Sequence, residues 1–192
     1  QVMSEAVYGM TLGYTTYLIF VTVQMAGQLV DIQIGFSIGS VYDPVTENKV
    51  SIFGKFYYWL SLALFLALDI HHFMILAIVK TYDIIPLGSG QLQGFFSLGF
   101  MSIFTGSLKA AFKIALPIMM ILFLTDIIMG MLARTVPQIN VFILGLPLKV
   151  LIGIAVLIVL IPAISESIVK SLEVLPYYLD KVIKSFILIG GI

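Results

Sequence analysis

The feature that most constrains this chain is the run Ala6–Val30, which contains no charged residue. About 20 consecutive apolar residues suffice to cross the hydrocarbon core of a bilayer. Ile114–Ala133, ~30 Å long as a helix at about 1.5 Å per residue, and Val141–Ser165 are further apolar runs, each with one charged residue, Asp126 and Lys149. Only 10% of the 192 residues are charged and 60% are apolar, against about 25% charged in an ordinary soluble domain. That balance excludes a soluble globule and a disordered segment. Ten basic and ten acidic residues cancel, so nothing in the charge favours a nucleic acid. The absence of cysteine excludes disulfides, thiolate metal sites and cysteine nucleophiles. The expected class is an all-α membrane protein forming a single domain over residues 1–192.

The apolar runs are not plain lipid-facing spans. Ala6–Val30 holds Thr11, Thr15, Thr16, Thr22, Gln24 and Gln28, and Gly9 and Gly13 make a G-x-x-x-G pair of the kind that lets helices approach closely. Gly27, Asp31 and Gly35 follow at intervals of four and share a helix face. Turn signals then gather in Gly35, Gly39, Asp43-Pro44 and Gly54. Phe56–Val79 is cut by Asp69-Ile70-His71-His72 and is expected to be a short helix or a helix pair. Gln91–Leu108 is a separate segment rich in Gly, Ser and Phe. Pro117 should kink the start of the Ile114–Ala133 helix. Asp126, Gly130 and Arg134 share one stripe, and Asp126 and Arg134, ~12 Å apart along the axis, are expected to find partners elsewhere. After Ser165 the chain turns amphipathic, with Ile168, Leu172 and Leu175 on one side.

Asp31, Asp69, Asp126 and Lys149 lie within or at the edge of apolar runs. Each would cost roughly 2.5–3.5 kcal/mol at the centre of a spanning helix. Such groups face a bundle interior, an aqueous path or an ionic partner. Together with the small residues they point to helices packed against other polypeptides. Chemistry has little support. Asp69, His71 and His72 are the one acid-plus-imidazole cluster, but neighbouring helix residues project to different faces, so no shared metal is expected. The H-E-x-x-H spacing and the phosphate-binding P-loop are both absent, and no serine has a recognisable catalytic base nearby in sequence, although triads assemble in space. Met119, Met120, Met129 and Met131 suit ordinary packing or a deformable seal. No catalytic residue, metal or cofactor is expected. The rival reading is a secondary transporter with an intramembrane carboxylate site.

Two stretches carry a resemblance. Ala26-Gly27, Asp31, Gln33, Gly35, Ser37 and Asp43-Pro44 resemble the A-G-x-x-x-D-x-Q-x-G-x-S…D-P signature of the FliR/SctT family, the type III secretion export-gate proteins. Phe65 to His71-His72 is similar to the family's F-L-x-x-x-G-H segment, with Asp69-Ile70 where many members have glycine before the histidine; Pro86-Leu87-Gly88 also fits. Ala115-Leu116-Pro117, Gly130, Arg134, Pro137, Gln138, Asn140, Phe142, Gly145, Pro147 and Lys149 resemble the A-L-P…G…R…P-Q-x-N-x-F…G-x-P-x-K block. The D-I-Q and G-F-S segments look more flagellar than injectisome-like.

The resemblance implies a non-enzymatic core subunit of the export gate, in the bacterial inner membrane at the flagellar basal body. Its implied partners are FliP-like, FliQ-like and FlhB-like subunits and the lipid bilayer, with unfolded secreted proteins as the substrates. It implies bent helical hairpins, a FliP-like part followed by a FliQ-like part. It also places a plug loop at Gly35, Phe36, Ser37, Ile38, Gly39, Val41 and Tyr42, ending at Asp43-Pro44. Ile38 and Val41 stand where some members have aromatics. Since Gln1 is not an initiator, the chain is expected to be a fragment lacking the family's N-terminal helices.

Overall fold

The structure, a computed structural model, describes residues 2–36, 51–84, 98–136 and 140–187. Every regular element among them is an α-helix: α1 (Val2–Ile34), α2 (Ile52–Ala67), α3 (Ile70–Ile84), α4 (Leu98–Thr135), α5 (Val141–Glu173) and α6 (Leu175–Ile187). The all-α membrane-type class is therefore observed. Glu5–Ile34, Met101–Thr135 and Ile143–Lys184 are each long and apolar enough to cross a membrane, and the bent pair α2–α3 makes a fourth candidate.

The polar residues of α1 are absorbed locally. The Thr11, Thr15, Thr16 and Thr22 hydroxyls donate to the carbonyls four residues back at 2.7–3.1 Å, so no hydroxyl on this face is left without a partner in an apolar setting. This frees α1 to serve as the central helix, and Val23, Ala26, Val30 and Ile34 on it are fully buried.

α2 runs antiparallel to α1. Asp31 meets Ser51 and Phe53, Gly27 meets Phe53, and the Phe20 ring lies 6.0 Å from Tyr58 and 5.3 Å from Phe65. α2 stops at Leu68–Asp69, where Asp69 adopts φ 56°, and α3 leaves at 72°. Asp69 O accepts from His72 N–H at 3.0 Å and so starts the new helix.

α4 absorbs what the sequence divides in two. The segment before Lys109 and the Ile114–Ala133 run form one helix that continues across Pro117. Ile103, Ala111, Ile114, Ala115, Ile118 and Leu122 are spaced by three, four or eight residues (apart from the adjacent Ile114–Ala115) and all buried, and this stripe holds the helix together where proline removes one backbone donor. α5 begins under an Asn140 cap, whose side-chain oxygen accepts from Ile143 N–H at 3.4 Å. It runs antiparallel to α4, with Gly145 beside Met129, Lys149 beside Asp126 and Gly153 beside Leu122. The amphipathic tail buries Ile168, Leu172 and Leu175 as its pattern indicates, and α6 adds Leu179, Val182 and Ile183. Burial falls steeply across the spans. It is 56% in the most apolar 18-residue stretch of Glu5–Ile34, 28% in that of Met101–Thr135 and 6% in that of Ile143–Lys184.

Candidate functional site

The C-terminal turn of α1 is where α2, α4 and α5 converge. Gly27 comes first. A Cβ there would stand 2.5 Å from the Phe53 carbonyl carbon and oxygen and 2.6 Å from Gly54 Cα. Only glycine permits α1 and α2 to meet backbone to backbone at this point. Gly54 completes the contact, since a Cβ on it would meet the Gln24 carbonyl at 3.1 Å.

That approach places Asp31 at the start of α2. Its carboxylate, 5% exposed, accepts from the Ser51 hydroxyl and from Phe53 N–H at 3.2 Å. Ser51 is itself the N-cap of α2, accepting from Gly54 N–H at 2.9 Å. A carboxylate at a helix N-terminus satisfies orphan donors and meets the positive end of the helix dipole. The charge that looks misplaced in an apolar run is thus a cap for a neighbouring helix.

Gln33 faces the other way. Its amide nitrogen donates to Asp126 Oδ2 at 3.1 Å, and its backbone carbonyl accepts from Lys149 Nζ at 3.1 Å. Lys149 Nζ lies 2.5 Å from Asp126 Oδ1. One residue each from α1, α4 and α5 therefore closes a triangle of charge and hydrogen bonds. Lys149 also satisfies one of the carbonyls that the end of α1 leaves without an intrahelical partner. Gly35 then ends the helix at φ 100°, and its N–H donates to the Asp31 and Ile32 carbonyls at 3.1 Å. Phe36 stacks on Phe53 with ring centroids 6.2 Å apart.

Several residues singled out by sequence are thereby brought together: Gly27, Asp31, Gln33, Gly35 and Phe36 with Asp126 and Lys149. Pro117, Gly145 and Pro147 sit within α4 and α5, and Asn140 caps α5. Asp126, Gly130 and Arg134 do not act as one stripe. Nothing lies within 4 Å of a Cβ built on Gly130, and Arg134 is exposed, forming no ion pair among the described residues. Gly9 and Gly13 likewise have nothing within 4 Å. They line an open groove with Ile78 and Thr81 of α3, not a close crossing within the chain. Ser37, Ile38, Gly39, Val41, Tyr42, Asp43, Pro44, Pro137 and Gln138 lie outside the described residues, as does the side chain of Phe142.

The expectation that His71 and His72 diverge is corrected. Their ring centroids are 4.2 Å apart, and ligating atoms of Asp69, His71 and His72 all fall within 4.8 Å of one another. Both residues lie in the first turn of α3, and their side chains bring the rings together although their Cα–Cβ directions differ. Ser51 is the contributor that the sequence reading missed. The signal was present, since Ser51 precedes an apolar run after a turn-rich stretch, as an N-cap does.

Comparison with known proteins gives the context of this site. Residues 1–175 match the family described as bacterial export proteins, family 1. The chain is 36% identical over 162 residues to the flagellar biosynthetic protein FliR of Bacillus subtilis (strain 168), covering 81% of this chain and 61% of that protein. It is 29% identical over 166 residues to FliR of Escherichia coli (strain K12), covering 85% of this chain and 62% of that protein. It is 29% identical over 183 residues to FliR of Buchnera aphidicola subsp. Acyrthosiphon pisum (strain APS), covering 93% and 69%. The chain thus spans roughly three fifths of the length of the Bacillus and Escherichia relatives. With a match over residues 1–175 and 36% identity to a FliR protein, the chain belongs to the family-1 bacterial export proteins.

Proposed function

We propose that the protein is a component of the flagellar export apparatus, and more specifically a core, non-enzymatic subunit of the type III export gate in the inner membrane at the flagellar basal body. The observation that carries this reading is the family match over residues 1–175. In this reading the chain forms a FliP-like part followed by a FliQ-like part. It assembles with FliP-like, FliQ-like and FlhB-like subunits around a conduit for unfolded proteins. The low burial of the most apolar stretch within Ile143–Lys184 supports it, because that stretch is free to face lipid or neighbouring subunits.

Gly35, Phe36, Ser37, Ile38, Gly39, Val41 and Tyr42 serve as the plug in this proposal. Support comes from what holds the flanks. The Gln33–Asp126–Lys149 triangle fixes the end of α1, and Asp31 ties that end to Ser51 and Phe53 at the start of α2. A segment joined to the protein through two fixed and neighbouring ends can be displaced and returned without disturbing the helices. Ile38 and Val41 supply apolar side chains of the kind that seal a pore by dewetting. Passage needs no chemistry on the substrate, and the driving energy comes from outside this subunit.

The transporter reading has no specific observation in its favour. Asp31 and Asp126, two of its three candidate carboxylates, are both engaged in contacts that hold helices together. The test is affinity purification of the full-length protein from cells that also make the FliP-like and FliQ-like subunits. The expected result is recovery as one stoichiometric complex with those subunits. A monodisperse, stable protein recovered alone in their presence overturns the proposal.

A further inference from the structure

The break between α2 and α3 carries an arrangement that the export reading leaves unused. Asp69, His71 and His72 present one carboxylate oxygen and two imidazole nitrogens, all within 4.8 Å of one another. His72 Nδ1 and Asp69 Oδ1 are 3.6 Å apart. Two donors on a tetrahedral zinc ion at about 2.0–2.1 Å stand roughly 3.3 Å from each other, so this pair needs an adjustment of a few tenths of an ångström. His71 Nδ1 is buried and makes no hydrogen bond, an arrangement that costs free energy unless something occupies the nitrogen or its proton.

The backbone assembles the three side chains. Asp69 is the non-glycine residue held at positive φ among the described residues, and this left-handed step throws its carboxylate back over the first turn of α3. Ile70, 4% exposed, anchors that turn in the core, while Asp69 and His72 remain open to an incoming ion. The Phe65 ring lies 6.2 Å from His71 and closes one side.

We propose that Asp69, His71 and His72 form a binding site for a borderline divalent transition-metal ion of the zinc class. Two neutral imidazoles and one carboxylate are the donor set such ions favour, and the fourth position is left to water. Bound there, the ion ties the end of α2 to the start of α3 and fixes the 72° bend. The proposal is independent of the export function.

The test uses the full-length protein in detergent, purified without a polyhistidine tag and stripped with chelator, with Co2+ as the spectroscopic probe. Wild type is expected to take up one Co2+ with the intense visible absorption of a tetrahedral site, and to lose it to equimolar Zn2+. Two variants remove a ligand without threatening the fold. Asp69→Gly suits the positive φ, and His72→Ala is at an exposed position. Both are expected to retain helical circular dichroism and lose the absorption. A wild-type protein with no such absorption, or either variant retaining it, overturns the site.

Discussion

The Lys149 ammonium lies 2.5 Å from the Asp126 carboxylate and 3.1 Å from the Gln33 carbonyl, so one side chain of α5 ties α4 to the end of α1. Lys149 is 18% exposed and Asp126 39%, which places the pair between a surface bridge and a fully buried one. A hydrogen bond to a charged group contributes about 1.5–3 kcal/mol, and partial solvent access on the Asp126 side reduces that. Lys149→Met is therefore expected to destabilise the protein by about 1–2 kcal/mol. The double variant Asp126→Asn/Lys149→Met should cost less than the sum of the two single changes, because no charge is left uncompensated. Denaturation of the detergent-solubilised full-length protein, followed by circular dichroism, measures all three. Strict additivity would mean that the pair does not couple α4 to α5.

Gly27 and Gly9 separate close packing from mere composition. At Gly27 the obstacle to a Cβ is backbone of α2, which cannot rotate aside. Gly27→Ala should push α1 from α2 and cost about 1–3 kcal/mol or more, as overpacking does. Gly9→Ala meets nothing within 4 Å and should stabilise α1 by up to about 1 kcal/mol through helix propensity. The same denaturation measurement, run on both variants, checks the contrast in sign.

Asp31 gives a graded series. Asp31→Asn keeps one acceptor oxygen, enough for Phe53 N–H or the Ser51 hydroxyl but not for both as the two carboxylate oxygens are, and it loses the charge at the α2 N-terminus. It should cost about 1 kcal/mol. Ser51→Ala removes the N-cap bond to Gly54 and one donor to Asp31, and is expected to cost about 1–2 kcal/mol. Asp31→Ala strands the buried Phe53 N–H and should cost the most of the three. Amide hydrogen exchange at Phe53 and Gly54 reads the effect locally, with Asp31→Ala exchanging fastest.

These contacts also show how far the sequence could be read. The apolar runs placed the spanning helices because burial and length dictate them. The G-x-x-x-D-x-Q-x-G spacing flagged one significant turn of α1, since a charge and close-spaced glycines in an apolar helix demand partners. What spacing could not supply was the partner: Lys149 is 116 residues from Gln33, and Ser51 reaches Asp31 only because α2 folds back antiparallel. Pro117 shows the opposite limit. Composition divides this region into two segments, but α4 runs as one helix across Pro117 with a buried stripe from Ile103 to Leu122. At His71 and His72 the helix-face rule failed because long side chains on adjacent helix positions can lean together, which spacing alone does not show.

The plug proposal makes the sharpest functional prediction. Asp31 joins the end of α1 to Ser51 and Phe53 at the start of α2, and so holds together the two helix ends that flank the segment to be deleted. Deleting Ile38–Tyr42 shortens the segment while leaving Asp31, Gln33, Gly35 and Ser51 in place. Loop shortening of this size changes closure entropy by well under about 1 kcal/mol, so the helices should assemble as before. The apolar seal, however, is gone, and water and ions then enter a path that dewetting had closed. The expected outcome is an assembled gate of normal composition that conducts ions at rest, seen as raised conductance of the cell membrane or of vesicles carrying the complex. The single substitutions Ile38→Ser and Val41→Ser should leak less than the deletion and more than wild type. An intact complex with unchanged resting conductance after the deletion would remove residues 38–42 from the seal and leave the family assignment standing.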